Sequence, residues 1–184
     1  MDWEFAFLNW IQETFRCPFL DWFMPLITKL GDGGVFWILV TLALFAYKPA
    51  RKYAHVAALA LIFGLCIGNM LLKPIIARIR PYDVNTAVSL LISKPLDFSF
   101  PSGHTQASFA AATSIFLWKK RFGIPALIIA TLVAFSRMYL YVHYPTDVLG
   151  GLLCGVTFAF MANIIANNLF RGKKDWDGCE LKTT

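Results

Sequence analysis

The sequence predicts an all-α fold: a polytopic transmembrane helix bundle of five to six spans with an amphipathic N-terminal segment. Three observations predict it. Of the 184 residues, 58% are hydrophobic and only 15% charged, a balance too apolar for an ordinary soluble domain. Several uncharged windows approach the roughly 20 residues needed to cross about 30 Å of hydrocarbon. Basic residues recur in clusters between those windows.

The amino terminus, MDWEFAFLNWIQETFRC, carries Asp2, Glu4 and Glu13 among aromatics and lacks the basic start of a signal peptide, so it is expected to be retained. Trp3, Phe7, Trp10 and Ile11 recur at helical spacing, which predicts a helix lying in the membrane interface. Pro18 to Leu30 is ambiguous. Its Asp21, Lys29 and central Pro25 oppose a free-standing span, and a tilted or re-entrant piece fits them as well.

Gly33 to Tyr47 and Thr105 to Trp118 are uncharged but about four turns long, and cross only with help from flanking residues or a thin bilayer. Tyr53 to Leu72, Phe122 to Ser136 and Val148 to Phe170 are longer uncharged windows and read as spans. With no repeat or linker, residues 1–184 read as a single domain: an interfacial or re-entrant segment 1–33, core helices 34–170 and a tail 171–184. The longest irregular stretch, Tyr82 to Phe100, is the expected place for substrate selection.

The net charge of +6 does not point to nucleic acid, because the cations are not interleaved with stacking aromatics on a soluble face. Lys48, Arg51 and Lys52 follow the first span, Lys119, Lys120 and Arg121 the third, and Arg171, Lys173 and Lys174 the fifth. Five spans put all three clusters on one side, which the positive-inside rule makes cytoplasmic, together with the carboxyl terminus. Cys17, Cys66, Cys154 and Cys179 have neither paired nor metal-ligand spacing and are assigned no chemistry. His55, at the cytoplasmic end of a span, reads as an interfacial side chain.

The opposite ends of the spans should then be poor in cations, and they are not. Lys73, Arg78, Arg80 and Lys94 fall in one outer connection, and Arg137 and His143 in the next, alongside His104 and Asp147. Ionisable groups placed there are candidates for function. In KPIIARIRP, a helix from Pro74 to Pro81 would project Lys73 and Arg80 from nearly one face, roughly 10 Å apart, with Arg78 pointing away as a solvated or headgroup-contacting cation. The bland alternative is interfacial snorkelling. In FSFPSGHT, Ser102 can cap a helix and Gly103 allows close backbone approach. The free N–H groups of the first turn can receive an anion beside His104; a plain capped helix is the alternative. In SRMYLYVHYPTD, Pro145 is expected to start a helix, with Asp147 in its first turn reaching back to His143. A carboxylate on one imidazole nitrogen leaves the other as a lone-pair donor, the form a nucleophilic histidine needs. An interfacial ion pair is the alternative here. Arg137 and His143 would lie roughly 240° apart on one helix, so sharing a ligand requires a break between them.

Together, Lys73 with six residues before Arg80-Pro81, then Pro101-Ser102-Gly103-His104, then Ser136-Arg137 with five residues before His143 and three before Asp147, resemble the three-part signature of the type 2 phosphatidic acid phosphatase (PAP2) family. Every defining position is filled at the family spacing. The motifs and their spans cover about 53–170, and residues 1–33 look like a shortened form of the first part of larger members.

The resemblance implies a PAP2-like membrane bundle and a set of roles. His143 would attack phosphorus and become transiently phosphorylated, while Asp147 orients and charges it. His104 would protonate the leaving oxygen and then activate water. Lys73, Arg80 and Arg137 would hold the non-bridging oxygens, with the Ser102 hydroxyl and Gly103 N–H completing the cradle. Positioning and charge neutralisation dominate phosphoryl transfer, so three cations can stand in for a metal, and neither metal nor cofactor is expected.

A reaction centre at the outer ends of spans lies at headgroup depth in the cell membrane, where a lipid phosphate or diphosphate arrives laterally with its tails in the bilayer. Phosphatidylglycerophosphate, phosphatidic acid and undecaprenyl diphosphate are the candidates, and an extracytoplasmic site favours the last. A vanadium-dependent haloperoxidase shares the constellation, but such enzymes are usually large and soluble. An anion or lipid transporter would line a path between leaflets with charge, whereas these charges gather at one surface. No feature of the sequence specifies an oligomeric state.

Overall fold

The computed structural model describes residues 2–170. Its order is α1 (Asp2–Phe15), α2 (Pro18–Lys29), α3 (Val35–Ala46), α4 (Arg51–Phe63), α5 (Lys73–Ile76), α6 (Pro81–Val84), α7 (Gly103–Trp118), α8 (Lys120–Tyr139) and α9 (Pro145–Phe170). A π-helical stretch, Gly64–Leu72, joins α4 to α5 without a break. The described residues contain no strand, as the all-α expectation requires.

The centre of the bundle is α7, whose residues from Thr105 to Ile115 are buried with the exception of half-buried Ala107. Small side chains let its neighbours come close, as membrane helices need where no hydrophobic driving force acts between them. Ala54, Ala57 and Ala60 make the buried face of α4. On α9, Gly151 and Gly155 meet α7 backbone: a Cβ at Gly155 would lie 2.5 Å from the Gln106 carbonyl oxygen, and one at Gly151 2.6 Å from that of Ser102. Gly123 of α8 is as tight, with a Cβ there 2.2 Å from Phe116 Cα. Trp37 of α3 donates its indole N–H to Ser108 Oγ at 2.8 Å, fastening α3 to α7. Outward faces carry exposed Ile38, Leu42, Ile62, Leu65, Ile128, Leu153 and Ile164, the side chains a bilayer would solvate.

The predicted windows all fall on helices, which differ in length and apolarity. Lys48–Val84, Lys120–Tyr139 and Pro145–Leu169 are long and apolar enough to cross a membrane. A fourth crossing results if Pro18–Lys29 and Asp32–Ala46, bent by 44° at their junction, act together. The ambiguity of Pro18 to Leu30 thus has a structural form: it is one limb of a broken pair. At 16 residues, α7 rises only about 24 Å, and it is sheathed by protein for most of that length.

The N-terminal helix forms as predicted, with one correction to its faces. Trp3, Phe7 and Trp10 point outward, but Ile11 is fully buried and belongs with Glu4 and Leu8 on the opposite face. Leu8 packs on Tyr141 and Tyr144, and Ile11 on Tyr139 and Leu140. Helix α1 therefore lies across the end of the bundle that carries the α8–α9 connection. The cation clusters at Lys48–Lys52 and Lys119–Arg121 flank the other ends of the same helices; Arg171, Lys173, Lys174, Cys179 and the expected tail 171–184 lie outside the described residues. His55, near the first cluster, sets its Nδ1 2.7 Å from the Arg51 carbonyl.

Candidate active site

The predicted polar residues meet at one end of the bundle, but not by the geometry that spacing suggests. The expected helix from Pro74 to Pro81 stops at Ile76, where Ala77 turns left-handed (φ 47°) and the chain runs extended into Arg80 (φ −76°, ψ 154°). Lys73 and Arg80 converge because both grip Asp97, from the irregular loop. One carboxylate oxygen takes the Lys73 ammonium and the other takes Arg80 Nη2 at 2.5 Å. Arg80 Nε also donates to the Asp97 carbonyl at 2.7 Å. Burial would raise the Asp97 pKa, yet Lys73 and Arg80 outweigh it and hold the carboxyl at about 2.

His143 is 1% exposed, and its Nε2 sits 3.1 Å from Arg80 Nη1. A guanidinium can only donate, so Nε2 must be the unprotonated nitrogen and the proton resides on Nδ1. That is the tautomer a nucleophile requires. Burial first, then the charges of Arg80, Arg137, Lys73 and His104, push this imidazole well below the usual histidine range and keep it neutral.

Behind His143, Asp147 lies in the first turn of α9, which Pro145 starts as predicted, and its Oδ2 accepts the Tyr144 N–H at 2.9 Å. The contact with His143 Nδ1 is 3.5 Å, too long for a good hydrogen bond. Ser99 bridges it: its hydroxyl donates to Asp147 Oδ2 at 2.5 Å and lies 3.4 Å from Nδ1. Neither Ser99 nor Asp97 stands out in the sequence, since a serine and an aspartate in a loop carry no periodic or spacing signal.

The break needed between Arg137 and His143 is present. Helix α8 ends at Tyr139, Tyr141 turns left-handed (φ 61°), and Val142 N–H returns to the Arg137 carbonyl at 3.1 Å, a Schellman-type closure. Arg137 is 2% exposed; its Nη1 donates to Thr28 of α2, and its buried Nε has no partner among the described residues. A phosphate oxygen would supply one.

Two expectations need correction. Ser102 occupies the N-cap position of α7, but its hydroxyl does not cap the backbone. It pairs at 2.9 Å with Thr105 Oγ1, fully buried, while its N–H donates to the Asp147 carbonyl at 3.0 Å. Arg78 does not point away as a solvated cation. It is 21% exposed and ion-paired at 2.5 Å to both Glu4 and Asp147.

His104 and Gly103 face a cleft of about 510 Å³ between α3 and α4, with Lys73 and Asp97 at its polar end. His104 Nε2 lies 2.8 Å from Asp32 Oδ1, in the turn before α3, and its ring lies against Gly31, where a Cβ would approach to 2.5 Å. Away from His104 the cleft is walled by Ile38, Leu42, Phe45, Leu61, Ile62 and Leu65. No cluster of His, Cys, Asp and Glu with metal-binding geometry occurs among the described residues.

The chain is similar to several known proteins. The chain is 34% identical over 144 residues to an undecaprenyl-diphosphatase of Sulfolobus acidocaldarius, covering 78% of this chain and 69% of the relative. It is 34% identical over 142 residues to an undecaprenyl-diphosphatase of Bacillus subtilis, covering 77% and 72%. Its fold superposes with TM-score 0.74 and 27% identity on the crystal structure of a transmembrane PAP2 type phosphatidylglycerolphosphate phosphatase from Bacillus subtilis, over 94% of this chain and 88% of that one. Residues 53–171, which hold every signature position, match the PAP2 superfamily, and the chain belongs to that family of membrane phosphatases.

Proposed function

We propose that this chain hydrolyses a lipid phosphate or diphosphate at the extracytoplasmic face of the cell membrane, through a phosphohistidine and without a metal. The observation that carries the reading is the double grip of Lys73 and Arg80 on a carboxylate, with the other terminal nitrogen of Arg80, Nη1, 3.1 Å from the lone-pair nitrogen of a buried neutral histidine. Two anionic oxygens held there present their central atom to His143.

In this reading the phosphate displaces the Asp97 carboxylate, and its non-bridging oxygens bind Lys73, Arg80 and Arg137, with the Gly103 N–H at the start of α7. His143 Nε2 attacks phosphorus in line, forming the P–N bond as the P–O bond to the leaving group breaks. His104 gives its proton to the leaving oxygen. Asp147, through Ser99, receives the partial positive charge on Nδ1–H. Water, deprotonated by His104, then attacks phosphorus, releasing phosphate and restoring His143. Ser102 supports the cradle from below, through Thr105 and the Asp147 carbonyl. Residues 1–184 act as one domain.

The apolar cleft between α3 and α4 suits a hydrocarbon chain whose phosphate end rests at Lys73. The cation-rich opposite ends of the helices support a cytoplasmic assignment for that side. The two relatives named as undecaprenyl-diphosphatases support undecaprenyl diphosphate as substrate over phosphatidic acid or phosphatidylglycerophosphate.

The test is phosphate release from a panel of these lipids in detergent, with and without chelator. His143→Ala and His104→Ala should lose activity and Asp147→Asn retain part of it. Normal turnover by His143→Ala, or a chelator loss restored by magnesium, would overturn the mechanism. A cysteine at the fully exposed Leu96 should react with an impermeant reagent in intact cells; reaction only after permeabilisation would invert the sidedness.

A further inference from the structure

We propose that Arg78 and Glu4 are positioning residues for Asp147, so that helix α1 is a working part of the catalytic apparatus. The inference rests on the reading of His143 and Asp147 given above.

Arg78 stands outside the defining positions of the signature, yet among the described residues no other side chain is hydrogen-bonded to Asp147 Oδ1. Its Nη1 donates to that oxygen at 2.5 Å and to Thr146 Oγ1 at 2.6 Å. Its Nη2 donates to Glu4 Oε2 at 2.5 Å, and Thr146 Oγ1 donates to Glu4 Oε1 at 2.5 Å, closing a ring of bonds between α1, the extended segment after Ala77 and the start of α9. The guanidinium carbon lies 4.0 Å from the centroid of the Tyr144 ring, which meets Phe5 of α1 edge-on at 5.5 Å. The Glu4 and Asp147 side chains are 5% and 0% exposed. A buried carboxylate on an interfacial helix is costly unless paired, and this one is paired to the cation that holds Asp147.

The consequence is a division of labour on Asp147. Arg78 fixes Oδ1, while Ser99 and the Tyr144 N–H fix Oδ2, so the carboxylate cannot rotate away from His143. The same bonds set how much negative charge reaches the imidazole. Arg80, Arg137, Lys73 and His104 face His143 as cations or potential cations, and Asp147 opposes them. Arg78 weakens Asp147 as a counter-charge, and Glu4 weakens Arg78. Their removal should therefore move His143 in opposite directions, which loss of structure alone would not do.

The experiment is an NMR titration of the imidazole nitrogens in detergent, the three histidines being assigned with His55→Asn and His104→Asn. It is paired with kcat, KM and the pH profile of phosphate release. Arg78→Gln should raise the His143 midpoint by about one pH unit and lower kcat at least tenfold with little change in KM. Glu4→Gln should move the midpoint and the acid limb of kcat/KM down by a few tenths. Arg78→Lys, which keeps the charge but lacks the guanidinium fork that reaches Glu4, Thr146 and Asp147 together, should fall between wild type and Arg78→Gln in kcat. Midpoints unmoved in both Gln variants, or moved the same way, would overturn the inference; if Arg78→Gln does not fold, Glu4→Gln and Arg78→Lys decide by the same criteria. A wild type that releases no phosphate, with opposite shifts still present in the titration, would reject the lipid-phosphatase reading and leave the coupling standing.

Discussion

Replacing Asp97 by Asn should make the protein a better phosphate binder and a less stable one. In the free state the Asp97 carboxylate holds the Lys73 ammonium and Arg80 Nη2, groups that a substrate phosphate would need. Its carboxyl is held at about 2, against an ordinary value of 3.8. A difference of about two pH units corresponds to roughly 2.5 kcal/mol. The side chain is 53% exposed, and solvent screening reduces this to about 1 kcal/mol. Since the folded-state value lies below the unfolded one, that stability is fully present above about pH 4 and is lost as pH falls through about 2. At neutral pH Asp97→Asn forfeits it, so Tm should fall by a few degrees. The same 1 kcal/mol no longer opposes an incoming anion, and the inhibition constant for inorganic phosphate should fall about fivefold. The backbone bond from Arg80 Nε to the residue 97 carbonyl survives, leaving Arg80 in place. Product-inhibition kinetics at pH 7 measure the effect, with thermal unfolding of the same preparation. An inhibition constant unchanged or raised in Asp97→Asn would refute the competition between carboxylate and phosphate.

Two further substitutions probe the site and its scaffold. Ser99→Ala removes the hydroxyl that bridges Asp147 to His143 Nδ1, and kcat should fall about tenfold, the equivalent of one charge-assisted hydrogen bond, with KM largely unchanged in steady-state assays. Gly155→Ala forces a Cβ to within 2.5 Å of the Gln106 carbonyl oxygen; overpacking of this kind costs about 1–3 kcal/mol, visible as a lower Tm in detergent.

What could be read from the chain was whatever depends on local pattern. Uncharged windows located the long helices, Pro145 marked the start of α9, and the spacing of the three motifs named residues that do converge. Contacts made by irregular backbone were not legible. As one helix, KPIIARIRP would place Lys73 and Arg80 on a common face and Arg78 in solvent. The left-handed turn at Ala77 cancels that periodicity: Lys73 and Arg80 meet through Asp97, and Arg78 is turned onto Asp147 and Glu4. Nothing in the residue types around Ala77 announces such a turn, because alanine favours helix. The role of Glu4 is hidden in the sequence for a related reason. An acidic residue among aromatics reads as part of a polar interfacial face until its partner, 74 positions away, is known.

The cleft between α3 and α4 has walls that are also outer surface, since Ile38, Leu42, Ile62 and Leu65 both line it and are about half exposed. A ligand can therefore slide into it from the side, within the plane of the membrane, without crossing water. Encounter is then two-dimensional, and the concentration that governs turnover is the mole fraction of substrate in its lipid or detergent phase. Adding inert detergent at constant bulk substrate should slow the enzyme, and rates from different preparations should coincide when plotted against surface composition.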